Sequence, residues 1–322
     1  MFKFNQLINN KFNIFDRLSI FVFSFLPISV LVGNAAINLN ILVINIIFLS
    51  YCFKSKIWSW LKSEIFLILL FIYIFLITNS IYSYFFLTEI NTSIENEIGG
   101  FVRSILFVKF ILLVFAFSTL LENNKVLHKV KLNWLIISLI VITDVFYENY
   151  FGKNIFGYES PNPQRIVSFF KDEMVVGGYI LCFGFTTITY FLSKSKEKKS
   201  ILFFSIIFLI IPIAIFLTGE RSNFIKSVFL FLAVTFFIDK KNSSLNYKYL
   251  ILLLFLAISC FFYLNENLKD RYSVFFKRVI IVEENKSMME NFENIKYFAH
   301  FDTAIKILNN YPITGVGNKN FR

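Results

Sequence analysis

Long apolar runs alternate with short polar segments along almost the whole chain. No charged residue occurs between Arg17 and Lys54. That run is too long for one membrane span of about 20 residues, and Asn34, Asn38 and Asn40 predict a turn inside it. Divided at this length, the chain shows spans near residues 18–33, 37–53, 65–88, 101–121, 132–146, 174–193, 200–217, 222–238 and 249–264. The predicted fold class is all-α: a polytopic transmembrane helix bundle of about nine spans with an external helical loop.

Lys and Arg are distributed unevenly between the two sets of connecting segments. The N-terminus and the loops after the second, fourth, sixth and eighth spans are rich in Lys, as in Lys194-Ser195-Lys196-Glu197-Lys198-Lys199. The alternate loops, near 33–37, 88–100, 147–173 and 218–221, hold fewer basic residues: Lys153, Arg165, Lys171 and Arg221. Positive residues favour the cytoplasmic side. The N-terminus is therefore predicted to be cytoplasmic.

With this orientation, residues 265–322 form a large external loop beside a membrane domain of residues 1–264. Ser287 and Glu290 have the spacing of a helical capping box, and Met288, Phe292, Ile295 and Ala299 follow at helical spacing. The run Asn309-Asn310-Tyr311-Pro312 ends the pattern. The loop is predicted to contain an amphipathic helix of about six turns that lies on the membrane surface or caps the bundle.

The composition agrees with a membrane protein. The chain has 322 residues, of which 57% are hydrophobic and 16% charged, whereas about a quarter of the residues in a soluble domain are charged. The net charge of +11 is spread over many loops, which argues against nucleic-acid binding. Cys52, Cys182 and Cys260 are isolated in apolar stretches. They predict packing roles, with no metal site and no disulfide framework.

Three residues of the external segments are candidates for chemistry: Arg165, Arg221 and His300. Arginine carries a permanent charge on a planar fork that suits phosphate groups, and histidine can accept a proton near neutrality. Together they fit a diphosphate leaving group and an attacking hydroxyl. Plainer interpretations remain open. Arg221 could pair with Glu220 or snorkel, Arg165 could be an ordinary loop cation, and His300 could pack beside the apolar stripe.

Three further cations lie within predicted spans. Arg103 and Lys109 share one helix, where they either pair with Asp144 or line a polar cavity. Lys226 lies about one turn inside its helix from Arg221, so it either adds to an anion site or snorkels outward. The sequence does not choose between these roles.

Three stretches together resemble the O-antigen ligase and polymerase superfamily of bacterial polysaccharide assembly. One is Phe156-Gly157-Tyr158 followed by Arg165-Ile166-Val167-Ser168-Phe169-Phe170, in which Ser168 stands at a usually glycine-like position. Another is the turn Thr218-Gly219-Glu220-Arg221-Ser222. The third and most specific includes His300, Ala304, Asn310-Tyr311-Pro312-Ile313-Thr314-Gly315-Val316-Gly317 and Asn320-Phe321.

The resemblance implies a metal-independent glycosyltransferase of the bacterial inner membrane that uses no cofactor. Its donor would be an undecaprenyl-diphosphate-linked glycan. Its acceptor on the periplasmic side would be a lipid A-core sugar for a ligase, or a growing polysaccharide for a polymerase. Arg165 and Arg221 would bind the diphosphate and stabilise the charge on the leaving group. His300 would be the candidate base or would orient the acceptor hydroxyl. The external loop would close over the sugars and exclude water.

Members of that superfamily usually continue past this loop with two or three more helices, whereas this sequence stops at Arg322. A truncated or shortened relative is therefore expected. Two other classes remain as alternatives to a transferase. A lipid-linked oligosaccharide flippase or other transporter would carry cations through a central cavity, as Arg103, Lys109 and Lys226 allow. A membrane scaffold would leave the candidate residues scattered in space.

Overall fold

The computed structural model describes residues 12–86, 94–171, 173–239, 247–280 and 296–316. Within these ranges the regular structure is helical, apart from an isolated β-bridge between Lys153 and Glu159. The helices are α1 (Ile14–Val32), α2 (Asn34–Ser55), α3 (Glu64–Phe86), α4 (Ile94–Leu106), α5 (Val108–Leu120), α6 (Asn124–Phe151), α7 (Val176–Tyr179), α8 (Thr186–Lys194), α9 (Lys198–Leu217), α10 (Arg221–Asp239), α11 (Tyr247–Leu264), α12 (Glu266–Ile280) and α13 (Lys296–Asn310). A π-helical segment, Ile180–Phe185, joins α7 to α8.

The prediction of an all-helical membrane protein is confirmed for the described residues. Seven helical segments are long and apolar enough to cross a membrane, and the number rises to eight if α11 and the start of α12 form one bent span. Many large apolar side chains are exposed on these helices, such as Phe21, Phe71 and Phe203. Such surfaces fit contact with lipid. The count of nine spans and the orientation in the membrane stay predictions.

One detail of the predicted spans is wrong. The break between the first two helices falls at Gly33, which has a φ of +120°, while Asn38 and Asn40 lie inside α2. Glycine adopts this backbone conformation without the steric cost of a side chain, and an asparagine inside a helix can still bond to a neighbour. The predicted fourth span, 101–121, coincides with the apolar, span-length segment Gly100–Leu120, within which Phe107 separates α4 from α5.

The segment after α11 contains a helix that the sequence interpretation missed. The axis turns by 103° between Lys248–Leu264 and Glu266–Ser273, and α12 starts there with Asn265 Oδ1 accepting a hydrogen bond from Leu268 N at 3.1 Å. Helix α13 ends at Asn310, as predicted. The predicted helix start at Ser287 and its first stripe residues lie outside the described residues. The boundary between a membrane domain and an external loop at 264/265 stays a prediction.

The chain divides into two compact units. Unit 1 comprises residues 1–22, 38–126 and 278–322, and unit 2 comprises residues 23–37 and 127–277. In unit 1, Trp60 packs against Phe48 and Phe115, with ring centroids 5.4 and 5.0 Å apart, and Ser80 and Ser104 share a hydrogen bond of 2.7 Å. These contacts tie together α2, α3, α4 and α5.

Unit 2 is organised around α9. Phe208 of α9 stacks on Phe231 of α10 at 4.5 Å between centroids, and every residue from 211 to 220 is buried. Trp134 of α6 donates a hydrogen bond to the carbonyl of Phe23 at 2.6 Å. Burial continues past the end of α9 into the turn that leads to α10. The surroundings of this turn form the candidate site.

Candidate functional site

The turn between α9 and α10 is buried although it is polar. Thr218 donates its hydroxyl to Ile215 O at 2.7 Å, Gly219 has a φ of +70°, and the Glu220 side chain is almost wholly buried. Arg221 follows as the first residue of α10 and is half-buried. Buried polar groups need hydrogen-bond partners. Here the partners come from three neighbouring segments.

Glu220 attaches the turn to the start of α7. Its Oε1 accepts a hydrogen bond from Gly177 N at 2.7 Å, and its Oε2 accepts one from the Asn223 amide at 2.5 Å. A Cβ at position 177 would lie 3.0 Å from the Glu220 carboxyl group, so the absence of a side chain there permits the close approach. One carboxylate oxygen of Glu220 therefore bonds to α7, and the other bonds to the first turn of α10.

Two carboxylates at the end of α6 hold the loop that carries Arg165. Asp144 Oδ1 accepts a hydrogen bond from Ile155 N at 2.9 Å. Glu148 accepts one from Val167 N at 3.1 Å and one from Ser168 N at 2.6 Å. Asp144 and Glu148 are four residues apart, so they share one face of the helix, and both are buried. Backbone amides satisfy these acids, and the loop is fixed at both ends.

Ser168 adopts a backbone conformation that favours glycine. Its φ is +48°, a region that costs a non-glycine residue about 1–3 kcal/mol. Its hydroxyl donates a hydrogen bond to Asp144 Oδ2 at 2.5 Å, which offsets part of that cost.

The Arg165 loop and the Arg221 turn are in direct contact. Ile166 N donates a hydrogen bond to Thr218 O at 3.4 Å. A Cβ at position 219 would lie only 2.6 Å from Gln164 O, which is closer than a real Cβ contact allows. Residue 219 must therefore be glycine for the two segments to approach this closely. The residues on both sides of Arg165 thus pack against the turn that precedes Arg221.

A third arginine, Arg271 of α12, completes this junction. Its Nε donates a hydrogen bond to Gly219 O at 2.7 Å. The next residue, Tyr272, donates its hydroxyl to Phe216 O at 3.3 Å and stacks its ring on Phe216 at 4.9 Å between centroids. Arg221 and Arg271 both lie within electrostatic range of the Tyr272 hydroxyl. Helix α12 therefore holds the turn in place next to Gln164 and adds positive charge to it.

A cavity of about 240 Å³ opens beside this junction. It is lined by Glu148, Asn149, Gly152, Glu159, Ser160, Pro163, Gln164, Arg165, Ile166, Leu217, Asn265, Asn267 and Leu268. Arg165 is half-buried in its wall and donates through Nη1 to Met174 Sδ at 3.0 Å. Since Glu148 and Leu217 both line the cavity, the C-terminal ends of α6 and α9 meet there. That meeting agrees with the predicted topology, in which both helices run in the same direction.

The structure brings two of the three predicted site residues into one unit. Arg165 and Arg221 belong to unit 2, in segments that contact each other, and Arg165 alone of the two lines the cavity. His300 belongs to unit 1, where its side chain is exposed on α13. Within the described ranges, no three His, Cys, Asp or Glu side chains form a cluster that could hold a metal ion.

The cations within the spans have separate surroundings. Lys109 donates a hydrogen bond to Asn38 Oδ1 at 2.5 Å, and Arg103 and Lys226 are exposed. Asp144 accepts its hydrogen bonds from the loop, as described above. Arg103 and Lys109 belong to unit 1 and Asp144 to unit 2, so their pairing stays one of the two possibilities open from the sequence.

Sequence reasoning missed Arg271 and the supporting roles of Asp144, Glu148 and Glu220. Asp144 and Glu148 lie four residues apart at the end of an apolar span. Burying two carboxylates on one helix face costs free energy unless hydrogen-bond donors face them, so this spacing could have indicated a bound loop. Arg271 gave no such signal, since α12 reads as a polar surface helix. No protein-family model, curated protein or solved structure matches the chain, so its function has to be inferred from these residues and contacts.

Proposed function

We propose that the chain is an inner-membrane glycosyltransferase of the O-antigen ligase type. It would move a glycan from an undecaprenyl-diphosphate carrier to a sugar hydroxyl of a lipid A-core acceptor on the periplasmic side. The polymerase reaction, in which a growing polysaccharide is the acceptor, uses the same donor chemistry and is the nearest alternative. In this proposal the junction of the Arg165 loop, the Arg221 turn and α12 is the diphosphate site.

One observation carries the proposal: two stretches that resemble the superfamily meet in space although about 50 residues separate them. The loop residue Ile166 bonds to Thr218 of the turn, and Gly219 has no Cβ where Gln164 O approaches. A turn that only connected two spans would need neither a buried position nor three supporting segments. The contacts support a shared role for Arg165 and Arg221, because they fix the backbones on which both arginines stand.

The proposed reaction exchanges one glycosidic bond for another. The acceptor hydroxyl oxygen attacks the anomeric carbon of the donor sugar, and the bond from that carbon to the diphosphate oxygen breaks. The diphosphate leaves with the electron pair, and its developing charge is stabilised by Arg165 and Arg221. A positioned cation in a site that excludes water is an effective way to lower such a barrier. His300 is assigned the hydroxyl proton on the strength of the resemblance.

Transfer by the reconstituted full chain tests the proposal. Proteoliposomes would contain an undecaprenyl-diphosphate-linked oligosaccharide, with either a lipid A-core acceptor or a second copy of the linked oligosaccharide. Arg221→Ala should lower the transfer rate by about 100- to 1,000-fold, the typical cost of removing one group that stabilises an oxyanion. Arg221→Lys should recover little activity, because a lysine lacks the paired donors of a guanidinium. The acceptor that is used distinguishes a ligase from a polymerase.

Arg17→Ala is the matched control. Arg17, like Arg221, lies near a helix start, but it is exposed and lies at the predicted cytoplasmic end of α1. Its removal should therefore leave transfer unchanged. Full transfer by Arg221→Ala would refute the proposed diphosphate site. Movement of the linked oligosaccharide across the bilayer without a new glycosidic bond would identify a transporter instead.

A further inference from the structure

The cavity beside Arg165 is lined by groups that suit neutral hydroxyls. Amide side chains come from Asn149, Gln164, Asn265 and Asn267, a hydroxyl comes from Ser160, and carboxylates come from Glu148 and Glu159. Amides and carboxylates together both donate and accept hydrogen bonds. A sugar ring needs this mixture, because each of its hydroxyls is both a donor and an acceptor. A lipid chain or an apolar ligand would leave these groups unsatisfied.

Some of these polar groups are hydrogen-bonded to other protein groups, and others are available to bind a ligand. Asn265 donates to Asn149 Oδ1 at 2.9 Å, and Glu148 accepts from the loop backbone. The side chains of Gln164 and Asn267 make no hydrogen bond within the described part of the chain. The cavity therefore has a fixed frame, made of Glu148, Asn149 and Asn265, and two amides free to bind.

The size of the cavity limits its occupant. Pockets for drug-sized ligands measure about 300–1,000 Å³, whereas this one measures about 240 Å³. One sugar ring is the size class that fits, and the rest of a glycan would extend outward. Arg165 lies in the wall, so a ring in the cavity has a cation next to it on the side of the Arg221 turn.

We propose that this cavity binds one sugar ring of the glycan substrate, with Gln164 and Asn267 as the residues that recognise its hydroxyls. This inference rests on the proposed function for the identity of the glycan, and it assigns the sugar to a place separate from the diphosphate. The ring belongs either to the donor, next to its diphosphate, or to the acceptor. Both sources present the same hydroxyl chemistry.

Saturation-transfer NMR on the full chain in nanodiscs tests sugar binding without the lipid carrier. The probes are methyl α-D-glucopyranoside and methyl N-acetyl-α-D-glucosaminide. We expect saturation of at least one probe by the unmodified chain. Each of Gln164→Met and Asn267→Leu should weaken its binding by about 3- to 10-fold, as expected for a lost hydrogen bond between neutral groups. Lys269→Leu is the control, because Lys269 is exposed on the same helix and does not line the cavity.

Asn267 is exposed, so Asn267→Leu tests the inference even if Gln164→Met lowers the thermal midpoint. Absence of saturation with both probes would overturn the inference, and so would equal binding by Asn267→Leu and Lys269→Leu. Arg221→Ala should keep sugar binding while losing transfer, so the two proposals can fail separately. In the transfer assay, a raised KM for the donor or for the acceptor in Asn267→Leu identifies which substrate supplies the ring.

Discussion

Gly219 allows a direct test of the junction between the Arg165 loop and the Arg221 turn. Alanine at this position would keep a positive φ, at a cost of about 1–2 kcal/mol, and would place its Cβ 2.6 Å from Gln164 O. The same Cβ would lie 3.0 Å from Arg271 Cδ. Both Gln164 and Arg271 must then shift, so we expect Gly219→Ala to lose the hydrogen bond from Arg271 Nε to Gly219 O. A hydrogen bond with a charged partner contributes about 1.5–3 kcal/mol.

Gly157→Ala is the matched control for this change. Gly157 lies in the Arg165 loop and has a φ of +85°, but nothing lies within 4 Å of a Cβ built on it. It therefore carries the backbone cost without the collision. The difference between the two variants should be about 1.5–3 kcal/mol, which corresponds to about a 10- to 150-fold difference in the opening equilibrium.

Limited trypsin digestion of the chain in nanodiscs measures that opening, because Arg165 and Lys171 are cleavage sites within the loop. When local opening is fast relative to cleavage, the cleavage rate follows the open population. We expect the loop of Gly219→Ala to be cut about 10- to 150-fold faster than that of Gly157→Ala. Equal rates in the two variants would show that the close contact of the turn with the loop does not hold the loop in place.

Arg271→Ala should increase trypsin cleavage of the Arg165 loop and lower transfer, and Arg271→Lys should restore protection of the loop only in part. Unchanged cleavage in Arg271→Ala would contradict the role of the hydrogen bond between Arg271 and Gly219. At Ser168, alanine keeps the strained backbone and loses the hydroxyl bond to Asp144, whereas glycine removes the strain. Ser168→Ala should therefore lower the thermal midpoint more than Ser168→Gly at the same scan rate, and the reverse order would refute the strain argument. His300→Ala should reduce the turnover number for transfer, but it should leave the binding of undecaprenyl diphosphate in an equilibrium assay unchanged. An unchanged turnover number would remove His300 from the proposed mechanism.

The helices could be predicted because their signal is local. A charge-free run of about 20 residues has few alternatives to a membrane helix, and each predicted span coincides with one or more helices. Breaks were harder to predict, because Gly33 and Phe107 interrupt runs that are apolar on both sides. Helix α12 was missed for the opposite reason: residues 266–280 are polar enough to look like an irregular loop, and the bend after Leu264 depends on packing.

The candidate site was predictable only in part. Arg165 and Arg221 stood out because charge is rare near the ends of apolar spans, and the structure brings their segments together. Their supports depend on contacts between distant segments, such as Glu220 with Gly177 or Arg271 with Gly219, and no local pattern encodes such contacts. The place of His300 relative to the arginines stays a prediction from the resemblance.

The attachment of the Arg165 loop through Asp144 and Glu148 has a consequence for how this protein can change in evolution. One residue inserted between the two acids would rotate one of them by about 100° around α6 and shift it by about 1.5 Å. One anchor would then point away from the loop while its carboxylate remained buried. The stretch from 144 to 148 should therefore tolerate exchanges of its intervening side chains far better than any change of length. The tip at Gly157, where nothing lies within 4 Å of an added Cβ, should accept changes of length better than residues 144–148.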